Sequence, residues 1–170
     1  MDWLCANKVS KGTGSVTYTQ MLNEKGGIEC DVTVTQTGEQ SFRIISGTAL
    51  HSHDMAWLRN HLPADGSVTL KDITAELTCF GIWGPLTREL LQPITPQDLS
   101  TEAMPFLSMR KTTVGGIPAE LVRVTFVGEQ GYELYAPWSQ GMALWEQLWK
   151  AGEPLGIVAC GYKAIDSLRS

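Results

Sequence analysis

The sequence predicts an α+β fold built from antiparallel sheets with packed helices. Runs of alternating apolar and polar residues follow one another across short Gly-rich turns, which is the pattern of antiparallel hairpins. Helical patterns gather after these runs, and the βαβα alternation that marks a parallel sheet is missing. With 170 residues, 43% of them hydrophobic, the chain has enough apolar material for one core, so a single domain over residues 1–170 is expected.

The first predicted element is a β-hairpin over Tyr18–Val34. Residues 23–27, Asn-Glu-Lys-Gly-Gly, supply the turn, because Gly adopts positive φ without steric cost and Asn tolerates it. The returning strand alternates in the way that buries one face, and its apolar positions are Ile28, Cys30, Val32 and Val34. Asp31 is therefore expected on the opposite face, which looks onto solvent or onto a ligand. From the pattern alone, a solvated carboxylate is the commoner case.

A third strand, a helix and two more strands are predicted next. Residues 41–46, SFRIIS, form the third strand and extend the hairpin into a meander. The helix begins at a Ser52 cap and ends at Leu62, directly before Pro63. The two further strands cover residues 67–74 and 75–83.

The remainder of the chain predicts a second hairpin between helices. The elements, in order, are a helix from Gly84-Pro85 to Leu91, a loop with one helical turn over residues 98–108, a hairpin over Lys111–Val127 across Gly115-Gly116, a helix over Ser139–Lys150 and a last helix from near Gly161. The helix after Ser139 is the clearest, with apolar residues on one face at Met142, Trp145, Leu148 and Trp149. These tryptophans are expected in the core rather than against a ligand.

Charge and cysteine content exclude several classes of function. The net charge of −5 and the pI near 5.1, without a run of Lys or Arg, argue against a nucleic-acid surface. No secretory signal and no apolar run long enough for a membrane span is visible. The four cysteines have no CxxC spacing and lie among apolar neighbours, which indicates reduced thiols and a cytoplasmic or organelle-matrix location.

One short motif, His51-Ser52-His53-Asp54, has the residue types of a metal site. Histidines two apart on a helix face different directions, and no further ligand set follows in the sequence. Surface or capping histidines are the better interpretation, and no metal is expected. A cysteine hydrolase has little support, because no cysteine lies beside a histidine.

A second informative stretch, residues 124–135, reads VTFVGEQGYELY. It predicts a Gly-bracketed turn and a strand whose alternation places Glu133 and Tyr135 on the face opposite Tyr132. A carboxylate beside glycines can accept paired hydrogen bonds from a planar amino-heterocycle. The alternative is that Glu129 satisfies amides of its own loop and Glu133 is a cross-strand partner.

Both stretches resemble segments of the glycine-cleavage T-protein (aminomethyltransferase) superfamily. YTQMLNEKGGIECD is similar to the segment with the essential aspartate, most closely in the dimethylglycine and sarcosine dehydrogenase branch, and the resemblance assigns that role to Asp31. VGEQGYELYAP is similar to the segment whose second acid holds the pterin ring of tetrahydrofolate. That acid is Glu133, with Glu129 in a supporting role and Tyr132 or Tyr135 flanking the ring.

The resemblance extends from Tyr18 to Arg169, with further matches in VTLKDITAELTCFGIWGPLTRELLQPIT and KAIDSLRS. T-proteins have an arginine for the folate tail where this chain has Ile165, although the flavoprotein branch also tends to be apolar there. Relatives continue into a further β-rich domain, so the chain resembles a piece of a longer protein.

The resemblance implies a tetrahydrofolate-binding domain that passes a one-carbon unit from an amine-derived donor, an iminium or aminomethyl group, to folate. Asp31 would act as general base or steady a developing cation. The implied partner is a flavin-dependent demethylating oxidoreductase domain whose FAD lies outside this chain. The alternative is a non-catalytic regulatory or partner-binding module of the same fold, which Ile165 favours.

Overall fold

A computed structural model describes residues 1–169. The chain divides into two compact units, Met1–Asp72 and the part from Ile73 onward. The α+β prediction is confirmed, because antiparallel sheets and helices make up the described chain. That both units form one domain stays a prediction. No helix within residues 1–169 has the length and apolar character needed to cross a membrane.

The first unit is a three-stranded antiparallel sheet with one helix. Its elements are β1 (Val16–Leu22), β2 (Ile28–Gly38), β3 (Ser41–Ser46) and α1 (His51–Asn60), and the strand order is β1-β2-β3. The predicted hairpin and third strand are confirmed. In the turn, Asn23 Oδ1 accepts hydrogen bonds from the backbone N–H of Lys25 and of Gly27, and Gly26 has a φ of +78°. The turn chemistry read from the sequence therefore fixes where the chain reverses.

The inner face of this sheet forms the core of the first unit. The buried apolar residues are Cys5, Val9, Met21, Cys30, Val32, Val34 and Leu58. Asp31 lies on the other face and is exposed, as the alternation predicts. Ile28 departs from the pattern and is 66% exposed. The reason is a β-bulge: Met21 pairs with Cys30 but Leu22 pairs with Ile28, so Glu29 is an extra residue that displaces the alternation.

The prediction of a strand over residues 67–74 is wrong. The chain has no regular structure over residues 67–73, and a 3₁₀ turn, Thr74–Glu76, precedes the next strand. No neighbouring strand of the described chain pairs with this stretch, and a β-strand requires hydrogen bonds to a neighbouring strand.

The second unit contains a four-stranded antiparallel sheet. Its elements are β4 (Leu77–Trp83), α2 (Thr87–Leu91), β5 (Ser108–Val114), β6 (Ile117–Arg123), β7 (Gly131–Pro137), α3 (Gly141–Gly152) and α4 (Tyr162–Leu168), and the strand order is β4-β7-β6-β5. The second hairpin is confirmed across Gly115 and Gly116, whose φ values are +57° and +80°. Its second strand ends at Arg123 rather than Val127.

Helices α2 and α3 belong to the core of the second unit. The buried set is Leu90, Leu91, Leu99, Met104, Val114, Ala119, Leu121, Tyr132, Leu134, Ala136, Leu144 and Leu148. The predicted apolar face of α3 is only partly right. Leu144 and Leu148 are buried, whereas Met142 is 72% exposed and the stacked rings of Trp145 and Trp149 are more than a third exposed. The expectation that these tryptophans fill the core is therefore wrong.

Leu134 is the central core residue of β7, and its side chain is fully buried. We expect Leu134→Ala to lower the free energy of unfolding by about 2–5 kcal/mol, because the substitution leaves a cavity that the sheet and helices cannot close. Urea unfolding followed by far-ultraviolet circular dichroism measures this change. The matched control is Met142→Ala at an exposed position of α3, which should stay within about 0.5 kcal/mol of the parent. Equal effects of the two changes would contradict this core assignment.

Candidate functional site

Asp31 is fixed on the outer face of the first sheet by two donors from β1. Gln20 pairs with Asp31 in the strand register, and its Nε2 donates to Oδ1 at 2.9 Å. The hydroxyl of Tyr18, two residues earlier on the same face, donates to Oδ2 at 2.7 Å. Side chains at i and i+2 share a face of a strand, which explains why both donors reach one carboxylate. The sequence predicted the position of Asp31 but not these two residues.

The contacts define what the Asp31 carboxylate can do. Two hydrogen bonds hold both oxygens, so the group has a set orientation although it is exposed. An ionised carboxylate offers about four acceptor sites, and two remain after these bonds. Asp31 can therefore accept a further proton or hydrogen bond from a group that approaches the outer face.

Glu133 occupies the middle of the second sheet. In the register of β7 it lies opposite Gly81 of β4 and Val122 of β6. The hydroxyl of Tyr135 donates to Oε2 at 2.5 Å, whereas no hydrogen bond from the described residues reaches Oε1. Burial raises the pKa of Tyr135 far above its ordinary value, so the hydroxyl stays protonated and remains a donor. Glu133 is half-buried, with one oxygen held and one available.

The two tyrosines of this segment lie on opposite faces of β7. Tyr135 is buried on the face of Glu133 and positions its carboxylate. Tyr132 is fully buried in the core on the other face, where its hydroxyl donates to the Leu99 carbonyl at 3.4 Å. This placement packs Tyr132 in the core and puts Tyr135 beside the carboxylate of Glu133. That either ring flanks a ligand stays a prediction.

Trp83 covers the sheet next to Glu133, and sequence reasoning missed it. It lies two residues after Gly81 on β4. A Cβ atom built on Gly81 would lie 2.1 Å from the indole ring, and one built on Gly131 would lie 2.0 Å from it. Only glycine at both positions allows the ring to lie this close to the backbone. The Trp83 Nε1 atom is buried and has no hydrogen-bond partner within residues 1–169. The pairing of glycines with tryptophan in GIWG was the available sequence clue.

Glu129 lies apart from these contacts, in the connection from β6 to β7. It is exposed and lines a shallow open groove of about 320 Å³ together with Phe106, Arg123 and Gln130. No hydrogen bond or ion pair joins Glu129 to Glu133 in the part of the chain that the structure describes. A supporting role for Glu129 stays a prediction.

Comparison with sequence families and curated proteins identifies relatives. The sequence model of the GCVT N-terminal domain matches residues 1–170. A 4-methylaminobutanoate oxidase (formaldehyde-forming) of Paenarthrobacter nicotinovorans is 37% identical over 93% of the chain and 19% of its own length. Mitochondrial dimethylglycine dehydrogenase of Rattus norvegicus is 33% identical over 99% of the chain and 20% of its own length. The chain thus spans about a fifth of these two relatives.

A shorter relative and a solved structure are also similar to this chain. An aminomethyltransferase of Geobacillus thermodenitrificans is 35% identical over 98% of the chain and 45% of its own length. The crystal structure of glycine cleavage system aminomethyltransferase T from Bartonella henselae superposes with a TM-score of 0.76 at 22% identity, over 98% of this chain and 43% of that one. The structural likeness establishes the fold.

The close fit of Trp83 against glycine leads to a stability prediction. Gly81→Ala should displace the indole, because the new methyl group would overlap it, and should lower the free energy of unfolding by about 1–3 kcal/mol. The indole N–H resonance in the NMR spectrum, assigned through Trp83→Phe, reports the displacement of the ring. Urea unfolding measures the loss of stability.

The matched control is Gly47→Ala. A Cβ atom there meets nothing within 4 Å, and the backbone has an ordinary φ of −65°. An unshifted Trp83 resonance in Gly81→Ala would show that the indole does not lie against this glycine.

Proposed function

Because the chain belongs to the GCVT N-terminal domain family, we propose that it is a tetrahydrofolate-binding, aminomethyltransferase-like domain. In this proposal it passes a one-carbon unit from an amine-derived donor to tetrahydrofolate. Aminomethyltransferase and enzymes that act on methylated amines are among its relatives. The observation that carries the proposal is the face of the second sheet around Glu133, where a half-buried carboxylate held by Tyr135 shares its face with the ring of Trp83.

The residues of this face fit a planar amino-heterocycle such as a pterin. Glu133 presents Oε1, which has no partner among the described residues, while Tyr135 holds Oε2. An oriented carboxylate of this kind accepts charge-assisted hydrogen bonds from ring N–H and amino groups. Trp83 adds the flat surface of its indole ring on the same face of the sheet. Glu133, Tyr135 and Trp83 are therefore the residues proposed to hold the pterin.

Asp31 is proposed as the catalytic residue. When bound, tetrahydrofolate supplies the nucleophilic nitrogen that receives the one-carbon unit. An oriented carboxylate can take a proton from such a nitrogen or stabilise a nearby cation. Tyr18 and Gln20 hold both oxygens of Asp31 in place, so little reorganisation accompanies proton transfer. No metal is needed for this step.

The proposed donor depends on a second activity. Two of the relatives are an oxidase and a dehydrogenase named for methylated amines, and the chain spans about a fifth of each. Oxidation of an N-methyl amine yields an iminium, which is an electrophile for a folate nitrogen. We assign the FAD of that oxidation to a flavin-dependent domain outside this chain and no FAD site to this chain. The cytoplasm or an organelle matrix is the proposed location.

A non-catalytic module of the same fold is the second candidate function. T-proteins resemble this chain in α4 but have an arginine for the folate tail where Ile165 stands. An apolar residue cannot pair with the tail carboxylates. In this alternative the sheet face contacts a protein partner instead of folate, and the chain does not bind tetrahydrofolate.

Calorimetric titration of the 170-residue chain with tetrahydrofolate separates the two candidates. We expect saturable binding, weakened on the order of 10- to 100-fold by Glu133→Gln, because the amide replaces a charged acceptor. The matched control is Glu146→Gln on the exposed surface of α3, which should bind as the parent does. Absence of binding by the parent chain would support the non-catalytic module, and equal binding by Glu133→Gln would remove the pterin from Glu133.

Asp31→Asn should separate chemistry from binding. The amide keeps the shape of the side chain but does not accept a proton, so the rate of one-carbon transfer from an iminium donor should fall about 10²- to 10⁴-fold. Tetrahydrofolate affinity should stay close to that of the parent.

Glu24→Gln, an exposed acid in the turn of the same hairpin, is the control and should leave the rate unchanged. A rate near that of the parent in Asp31→Asn would exclude Asp31 as the base.

A further inference from the structure

Three side chains with metal-binding atoms meet between β2 and α1 of the first unit. They are Cys30 on β2 and His53 and Asp54 on α1, and one ligand atom of each lies within 4.8 Å of the others. Cys30 is 1% exposed and Asp54 is 3% exposed. The His53 side chain is 51% exposed, so one side of the cluster is open to solvent. The geometry provides a sulfur, a nitrogen and an oxygen ligand with an entry path.

The Asp54 carboxylate is only half satisfied. Its Oδ1 lies 3.1 Å from Nδ1 of His53, but Oδ2 is buried and has no hydrogen-bond partner within residues 1–169. A buried carboxylate oxygen without a partner is costly, because it has lost its hydration without compensation. The Cys30 thiol lies beside this carboxylate but is only a weak donor, so a cation would satisfy the buried oxygen more fully.

His53 is oriented from its far side. Its Nε2 atom lies 3.4 Å from Oε2 of Glu29, and Asn23 Nδ2 donates to Oε1 of Glu29 at 2.8 Å. Glu29 is the extra residue of the β-bulge, which turns its side chain toward α1. Metal-binding histidines almost always donate their second ring N–H to a carboxylate or carbonyl, which fixes the tautomer. The contacts from Asn23 to Glu29 and from Glu29 to His53 have this arrangement, and they leave Nδ1 of His53 to face Asp54.

We propose that Cys30 Sγ, His53 Nδ1 and Asp54 Oδ2 bind a divalent transition-metal ion of the zinc class, with solvent as the fourth ligand. Thiolate and imidazole ligands select zinc and its neighbours over magnesium and calcium, which prefer oxygen alone. Glu29 is a positioning residue of this site. The ion joins β2 to α1, which otherwise meet through apolar packing around Leu58.

The competing arrangement has no metal. In that case burial raises the pKa of the Cys30 thiol to about 12, so it stays neutral, and the hydrogen bond to Asp54 raises the pKa of His53. His53 then lies between two carboxylates that favour its protonated form, and Cys30 is a core residue. Metal binding requires the thiolate and therefore displaces the thiol proton. The two arrangements predict opposite responses to added ions.

Titration of the 170-residue chain with Co²⁺ and Zn²⁺ distinguishes them. We expect one equivalent of Co²⁺ to produce a thiolate-to-metal charge-transfer band, which Zn²⁺ then removes by displacement. Zn²⁺ should raise the melting temperature in a way that EDTA reverses, because the ion binds the folded chain. Cys30→Ser should abolish the band. His53→Gln, at a half-exposed position that folding tolerates, should weaken affinity at least about tenfold, and Glu29→Gln should weaken it roughly 10- to 100-fold.

Two control variants test whether the effects are local. Cys5→Ser removes the other buried thiol of the same core, and His51→Gln removes an exposed histidine that pairs with Asp72. Both should bind Co²⁺ as the parent does. Absence of a charge-transfer band in the parent, or equal loss of binding in His51→Gln and His53→Gln, would overturn the site. Either result would leave the metal-free ion cluster as the correct description.

Discussion

The position of Glu133 depends on the packing of the opposite face of β7. Tyr132, Leu134 and Ala136 are buried against the helices, and because side chains alternate along a strand, Glu133 and Tyr135 must lie on the other face. A register slip of one residue would bury the carboxylate and expose the core. The same constraint acts on β2, where the burial of Cys30 and Val32 sends Asp31 outward. The hydrophobic core therefore determines on which face of each sheet the proposed functional carboxylate lies.

Each proposed functional carboxylate is then held by a tyrosine hydroxyl. Tyr18 reaches Asp31 across the β1–β2 ladder, whereas Tyr135 reaches Glu133 along its own strand. The two contacts differ in burial, since Tyr18 is about half exposed and Tyr135 is buried. The buried hydroxyl remains a donor at any physiological pH. Orientation of this kind reduces the reorganisation that a ligand or a proton transfer would require.

Two glycines determine how the Trp83 ring packs in the second unit. Gly81 and Gly131 allow the Trp83 ring to lie on the sheet, and a methyl group at either position would overlap it. In the first unit, the bulge at Glu29 interrupts the alternation of β2 and turns that acid toward His53. Both features are small departures from a regular strand, and both lie next to the groups for which we propose a binding role.

The sequence by itself determined the elements that depend on local preference. Turn chemistry and a period of two residues predicted the turns at residues 23–27 and at Gly115-Gly116, the third strand at residues 41–46 and the outward face of Asp31. Tertiary structure decided whatever depends on residues distant in the chain. Residues 67–73 found no strand to pair with, the tryptophans of α3 stayed partly exposed, and Cys30 came to lie beside His53. Sequence periodicity measures which face of an element is apolar, whereas only the folded chain determines what that face meets.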